Sequence, residues 1–343
     1  MPSAHPDPLP SAAGEPDLPR VSPRLFSLFG QYSRWYLGRH FHAVRRSGAV
    51  PDVLDETPLV VYFNHPSWWD PLLAILLARS VFPRRTHYGP IDAVALEQYG
   101  FFRRLGFFGV EAASVSGARR FLRVAGELLS RPGTALWITP EGRFTDPRRR
   151  PVRLRPGLGR LAARLASEAL KAGRGEVRGG VLIPLAVEYP FWEERFPEAL
   201  LRFGEPVDIA QEVARRRRRG EKEPSPREWD ALLAARLEAA QDALAKAALE
   251  RDPGAFETMV GGRAGVGGVY DLWRRLRARL RGERFEREHG ASARRSSESP
   301  GEGGSDDSGG EGPGSGKSPP GGTSPHPGPG PRRHEGRLRC ASG

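Results

Sequence analysis

Apolar runs of strand length alternate with helical stretches along the middle of the chain. Uninterrupted apolar runs bounded by Pro, Gly and Asp are typical of strands buried on both faces of a sheet. They predict strands at residues 58–63, 107–111, 134–139, 181–188 and 199–204. Helical spacing predicts helices at 67–80, 116–130, 157–172 and 226–250. Strands separated by helices predict an α/β fold, with a mixed sheet flanked by helices and polar turns gathered at one edge.

Two amphipathic segments lie on either side of this pattern. Residues 24–46 predict an opening helix or helix pair, with aromatic residues on one side and arginines around it. Residues 269–285 repeat the combination with a denser set of arginines. Aromatic and basic residues together favour the headgroup region of a bilayer, although either helix could instead pack on the domain. The arginine run at 215–219 is interpreted as a solvated linker, with an acidic-lipid contact as the alternative.

The ends of the chain lack the composition of a folded domain. Residues 1–20 are rich in Pro, and residues 291–343 consist mainly of Gly, Ser, Pro and charged residues. Such segments bury too little apolar surface to offset their ordering entropy, so both are predicted to be disordered. One domain is therefore expected at 21–250, followed by a basic amphipathic segment at 251–290.

A histidine and a carboxylate occupy the turn between the first central strand and the next helix. His65 and Asp70 are separated by four residues in Asn64-His65-Pro66-Ser67-Trp68-Trp69-Asp70. A neutral imidazole can take a proton from a hydroxyl, and a nearby carboxylate can fix its tautomer and stabilise the imidazolium. Alone the spacing is weak, because Ser67 or Asp70 could simply begin a helix.

Two more of the predicted strands carry residues of interest, one in the turn that follows it and one within the strand. Thr139-Pro140-Glu141-Gly142-Arg143 brings Glu141 and Arg143 to the tip of one turn, and Pro184 lies in the strand at 181–188. In this order and spacing, the blocks resemble the glycerolipid acyltransferase family that includes the bacterial lysophosphatidate acyltransferases. The resemblance covers about residues 24–210.

The family's residue roles can be carried over onto this sequence. The resemblance implies that His65 is the general base on the acceptor hydroxyl and that Asp70 orients it. It implies that Glu141, Gly142 and Pro184 contribute to substrate binding, and Arg143 is expected to contact the acceptor head group or a donor phosphate. Arg155-Pro156-Gly157 matches the family's basic step before the next helix.

Two blocks depart from the family pattern. Arg143 arrives one position early after the Pro-Glu-Gly block. Glu111 and small residues stand where an arginine usually helps to hold the acceptor phosphate, and the nearest arginines are Arg119 and Arg120. These departures leave acyl transfer intact but argue against lysophosphatidate as the acceptor.

Net charge and composition limit the classes of binding partner that the sequence predicts. The 343-residue chain has a net charge of +12, which indicates an anionic partner such as an acidic membrane, acyl-CoA or acyl carrier protein. Nucleic acid is not expected, since the aromatic residues lie in amphipathic helices. The single cysteine, the N-terminal composition and the lack of long apolar runs predict a cytoplasmic protein, peripheral on the inner face of the cell membrane.

The function predicted from these features is O-acyl transfer. A fatty acyl group would pass from acyl-CoA or acyl carrier protein to a lipid hydroxyl in phospholipid or glycolipid synthesis, with no further cofactor. The alternative is a non-catalytic membrane- or anion-binding protein on the same scaffold. A hydrolase is disfavoured because no Gly-x-Ser-x-Gly turn supplies a nucleophile.

Overall fold

The described part of the chain contains seven α-helices, nine strands and two short 3₁₀ helices at Gly100–Leu105 and Pro253–Ala255. A computed structural model describes residues 18–111, 114–171 and 179–264. The helices are Pro23–His40 (α1), Asp70–Val81 (α2), Ala93–Gln98 (α3), Val115–Leu129 (α4), Leu158–Lys171 (α5), Ile209–Arg218 (α6) and Pro226–Leu249 (α7). The strands are Ala43–Ser47 (β1), Leu59–Phe63 (β2), Thr86–Asp92 (β3), Phe107–Val110 (β4), Thr134–Ile138 (β5), Val181–Glu188 (β6), Glu198–Phe203 (β7), Val207–Asp208 (β8) and Glu257–Gly261 (β9).

The strands form one mixed sheet, as the sequence predicts. Their order is β4-β3-β5-β2-β6-β7-β1-β9, with β8 paired to β6. The central strands β3, β5, β2 and β6 are parallel, and β7 turns antiparallel to β6. Because parallel strands share a carboxyl edge, the turns after β2, β5 and β6 lie side by side. The expected α/β fold is confirmed.

Two hydrophobic layers cover the two faces of the sheet. On one face Val61 and Ile183 pack with Leu73 and Leu77 of α2 and with Leu37 of α1. On the other face the alternate residues of the same strands pack with α4, α5 and α7. Period-two burial on both faces explains why the central strands are apolar throughout. It also fixes their register, since a shift by one residue would exchange the two faces.

The opening segment does not continue as helix to residue 46, so the prediction for 24–46 is wrong at its end. α1 stops at His40, and β1 pairs with β7 and β9. Arg45 is buried there, and its Nε donates to Glu198 Oε2 at 3.0 Å. A buried arginine neutralised by a carboxylate distant in sequence breaks the apolar pattern that would identify a strand.

The arginine run at 215–219 is also structured differently from the linker predicted. Residues through Arg218 form the last turns of α6. Cationic side chains are favourable at a helix carboxyl end, where the helix dipole is negative. Arg216 in addition donates to Glu228 at 2.9 Å, which links α6 to α7.

Strand β3 was missed because its sequence resembles a turn. It contains Gly89 and Pro90, which normally interrupt strands. Packing at Gly89 is tight, since an added Cβ would lie 3.2 Å from the carbonyl oxygen of Trp137 in β5. Strand β9 was also missed, and it carries the sheet past residue 250.

Several predictions concern residues outside the described ranges. These are the basic helix at 269–285, the tail at 291–343 and most of segment 1–20. Among the helices at 18–111, 114–171 and 179–264, none combines the length and the apolar character needed to cross a bilayer.

Candidate active site

Asn64 fixes the end of β2 and thereby the position of the next residue. Its side-chain amide donates to the carbonyl oxygen of Val187, and its Oδ1 accepts the N–H of Val187, both at 2.9 Å. The side chain is fully buried between β2 and β6. This paired contact acts as one more step of the β ladder, so His65 leaves the sheet at a defined point.

His65 and Asp70 are in direct contact. His65 Nδ1 lies 2.5 Å from Asp70 Oδ2. The Asp70 side chain is 1% exposed and the His65 side chain is 20% exposed, so the imidazole reaches solvent while the carboxylate does not. With Nδ1–H donated to Asp70, the neutral ring carries its lone pair on Nε2. This is the arrangement that general-base catalysis requires, and the two predicted residues are brought together.

The Asp70 carboxylate is held by two further donors. The backbone N–H of Ser67 donates to Oδ2 at 3.2 Å, and the phenol of Tyr189 donates to Oδ1 at 2.6 Å. Asp70 is also the first residue of α2, where the helix dipole favours negative charge. Three donors and the helix end keep this buried carboxylate in one orientation. Tyr189 was not predicted, because nothing in its own neighbourhood of the sequence indicates a partner so far away.

The turn after β5 is joined to the His65 turn by two hydrogen bonds. The backbone N–H of His65 donates to Glu141 Oε2 at 3.2 Å, and Thr145 N–H donates to the carbonyl oxygen of His65 at 2.9 Å. Burial raises the pKa of the Glu141 carboxyl, although hydrogen bonds from His65 and Thr145 oppose the shift. Glu141 therefore lies behind His65 and supports its backbone.

The tip of the same turn is exposed and basic. Gly142 adopts a left-handed φ of 62°, and the side chain of Arg155 lies across it, leaving no room for a Cβ. Arg143 is exposed next to it. The ring of Phe144 stands 4.4 Å from the ring of His65 and is largely exposed. The imidazole thus has an aromatic neighbour and a cationic surface beside its open side.

Comparison with known proteins agrees with this geometry. Residues 43–188 match the family model described as Acyltransferase, and this range contains His65, Asp70 and Glu141. This part of the chain is therefore similar to the Acyltransferase family.

A solved structure similar to the chain is the 1-acyl-sn-glycerophosphate (LPA) acyltransferase PlsC from Thermotoga maritima. The TM-score is 0.41 and the identity 14%, over 65% of this chain and 79% of that chain. No curated protein matches the chain significantly.

One residue implied by the family resemblance, Pro184, lies deeper in the fold than the exposed turn. Pro184 is buried within β6, opposite Tyr62 of β2, and its carbonyl oxygen accepts the N–H of Gly204 at 2.8 Å. Gly142 contributes backbone geometry. The substrate-binding roles of Pro184, Gly142, Glu141 and Arg143 stay predictions.

The family resemblance implies a phosphate-binding arginine after β4, but the residue at that position in this chain is acidic. Glu111 follows β4 and accepts hydrogen bonds from Ser114 and Ser116 at 3.0 and 2.9 Å. These bonds lower the pKa of Glu111, so it is anionic at neutral pH. Arg120 points its Nε to the carbonyl oxygen of Gly109 at 3.0 Å. An anionic carboxylate repels a phosphate, which fits the departure seen in the sequence.

Proposed function

We propose that the chain is an O-acyltransferase that moves a fatty acyl group from a thioester donor to a lipid hydroxyl. The donor is acyl-CoA or acyl carrier protein. His65 is the general base, and Asp70 orients it and stabilises the imidazolium. The observation that carries the proposal is the 2.5 Å contact between His65 Nδ1 and Asp70 Oδ2, inside the range that matches the Acyltransferase family.

The proposed reaction uses Nε2 of His65, the ring nitrogen that does not contact Asp70. Nε2 removes the proton of the acceptor hydroxyl as its oxygen attacks the thioester carbonyl carbon. The tetrahedral intermediate collapses to an ester and releases the thiolate, which takes the proton back from the imidazolium. The acceptor supplies the nucleophile, so one histidine and one carboxylate are sufficient. No cofactor besides the thioester co-substrate is proposed.

The acceptor is proposed to be a lipid alcohol of the phospholipid or glycolipid pathways other than lysophosphatidate. The support is the charge at the edge of the sheet, where anionic Glu111 stands at the expected phosphate position. A comparison of lipid extracts from cells with and without the gene tests this, followed by transfer assays with the purified chain. Missing acylated glycolipids or diacylated phospholipids would identify the class. Unchanged lipids with an inactive purified protein would favour the non-catalytic, anion-binding alternative.

Arg143 is proposed to bind an anionic group of one substrate. Arg143→Ala is expected to raise the KM for that substrate about 10-fold while changing the other KM little, because a charge-assisted hydrogen bond contributes roughly 1.5–3 kcal/mol. Steady-state kinetics with each substrate varied in turn provides the measurement. Arg149→Ala, an exposed arginine of the same loop, is the matched control. A fall in kcat with both KM values unchanged would instead assign Arg143 to the transition state.

An anionic membrane surface is proposed as the partner of α1 and the active-site turn. Tyr32 and Trp35 are exposed on α1, and Trp68 is exposed three residues after His65. Contacts between aromatic rings join these positions through Tyr36 and Trp69. An aromatic surface that reaches the catalytic turn would hold the open side of His65 near lipid.

Basic residues border the aromatic surface. A groove of about 520 Å³ between α1 and β9 is lined by Arg34, Arg39 and Arg263 as well as Trp35. Each arginine near an anionic surface contributes roughly 1 kcal/mol, and salt screens the effect. On this proposal the protein is cytoplasmic and lies on the inner face of the cell membrane.

Trp35→Glu is expected to weaken binding to vesicles of phosphatidylglycerol and phosphatidylcholine about 10-fold or more. The change removes an aromatic ring that would enter the interface and adds a charge of the wrong sign. Sedimentation with vesicles at low and high salt measures it. Leu249→Glu, at the 81% exposed end of α7, is the control and is expected to bind as the unchanged protein does. Equal binding by Trp35→Glu and Leu249→Glu would contradict the role of α1.

A further inference from the structure

The phenol of Tyr189 is the third side-chain group of the His65–Asp70 site. Tyr189 follows the last residue of β6, and its hydroxyl donates to Asp70 Oδ1 at 2.6 Å. Its ring also packs against Phe41, with 5.5 Å between the ring centroids. Tyr189 therefore reaches the same carboxylate as His65 from a different strand.

The two oxygens of Asp70 divide the donors between them. Oδ2 accepts from His65 Nδ1 and from the backbone N–H of Ser67, whereas Oδ1 accepts from Tyr189. Burial, the charge of Asp70 and this hydrogen bond raise the pKa of Tyr189 well above its ordinary value, so the phenol keeps its proton and stays a donor. A hydrogen bond to a carboxylate disperses its negative charge. The carboxylate then stabilises a neighbouring positive charge less strongly.

We propose that Tyr189 is a positioning residue that tunes the basicity of His65 through Asp70, an inference that rests on the proposed role of His65 as general base. The three side chains form a hydrogen-bonded series in which Asp70 lies between His65 and Tyr189. His65 and Asp70 follow β2 in the sequence, whereas Tyr189 follows β6. Tyr189 does not contact the reacting atoms in this account. It fixes the carboxylate and limits how strongly that carboxylate stabilises the imidazolium.

Removal of the phenol hydroxyl has a definite direction. Without the Tyr189 donor, more of the negative charge of Asp70 is available to the imidazolium, so the charged form of His65 is favoured. Two further charged groups near His65 are Glu141, which accepts the backbone N–H of His65, and Arg143, which lies on the same turn as Glu141. Neither contacts Tyr189 in the hydrogen bonds of the site, so Tyr189→Phe leaves them in place.

The test compares Tyr189→Phe with Tyr62→Phe in the full chain. Tyr62 is a matched control because its hydroxyl is also buried and donates to a protein oxygen, the carbonyl of Leu233, at 3.1 Å. Histidine labelled with ¹³C at Cε1 allows NMR titration, with the His65 signal assigned by its loss in His65→Gln. The His65 titration midpoint is expected to rise by about 0.5–1 pH unit in Tyr189→Phe and to stay unchanged in Tyr62→Phe.

Kinetics supplies a second measurement with palmitoyl-CoA as the donor and a total lipid extract as the acceptor. Catalysis needs neutral His65, so a higher midpoint lowers the rate at low pH. Tyr189→Phe is expected to be about 3- to 10-fold slower than the unchanged protein at pH 6 and to approach it at pH 9. A purely structural role would lower the rate equally at both pH values.

Failure of this inference can be distinguished from failure of the proposed reaction. An unmoved His65 midpoint in folded Tyr189→Phe would overturn the role of Tyr189, even in an active acyltransferase. A raised midpoint in a protein that transfers no acyl group would uphold the coupling and remove the reaction. Thermal melting verifies folding, and Tyr189→Met removes the same hydroxyl should the phenylalanine variant melt early.

Discussion

Replacement of His65 by alanine is expected to lower the rate of acyl transfer by about 10²–10⁴-fold with little change in the melting temperature. General-base removal has this range of effects. The imidazole is partly exposed, and its side-chain hydrogen bond goes to Asp70, so the fold depends little on it. The measurement is the initial rate with saturating donor, beside a thermal melt of the same preparation.

A second histidine variant controls for loss of any imidazole. His40→Gln removes a ring at the end of α1 whose Nδ1 bonds the carbonyl oxygen of Tyr36 at 2.9 Å. This variant is expected to retain most of the rate. A folded His65→Ala protein with the rate of the unchanged enzyme would remove His65 from the mechanism.

Asp70→Asn is expected to lower the rate by about 10²–10⁴-fold while the fold is kept. The structure gives the reason why geometry survives. An asparagine can turn its oxygen to His65 Nδ1–H and its NH₂ to Tyr189, whose hydroxyl can accept as well as donate. The hydrogen bonds and the tautomer of His65 are preserved, and only the negative charge that stabilises the imidazolium is lost.

The control for Asp70→Asn is a substitution of another carboxylate at the start of a helix. Asp208 caps α6 by accepting the N–H of Gln211 at 2.9 Å. Asp208→Asn and Asp70→Asn are expected to cost similar stability, and only the second to lose activity. Retention of most of the rate by Asp70→Asn would show that Asp70 serves the end of α2 alone.

The predictable parts of the fold are those in which a short stretch of sequence shows which residues are buried. Strands β2, β5 and β6 are apolar on both faces, so a short window of residues identifies them. β1 and β3 were not predictable in this way. The buried Arg45 is neutralised by Glu198 of a distant strand, and Gly89 packs tightly against Trp137 of the neighbouring strand.

The residues of the candidate site likewise fall into two groups, those that a short stretch of sequence identifies and those that it does not. His65 and Asp70 were predictable because a single turn contains both, and their contact is present. Asn64 and Tyr189 were not, since each acts on a partner brought near by the pairing of β2 with β6. Glu141 was identified from the polar turn after a predicted strand, and the family resemblance implied its substrate-binding role. Its hydrogen bond to the backbone of His65 is visible only once the two turns lie side by side.

The identity of the acylated product is the most direct test of acyl transfer by His65 to a lipid hydroxyl. The purified chain is incubated with ¹⁴C-labelled palmitoyl-CoA or palmitoyl acyl carrier protein and a total lipid extract, and the labelled products are resolved by mass spectrometry. A new oxygen ester of a lipid is expected, formed by the unchanged chain and lost in His65→Ala. Free fatty acid as the sole product, or the same ester formed at full rate by His65→Ala, would contradict this expectation.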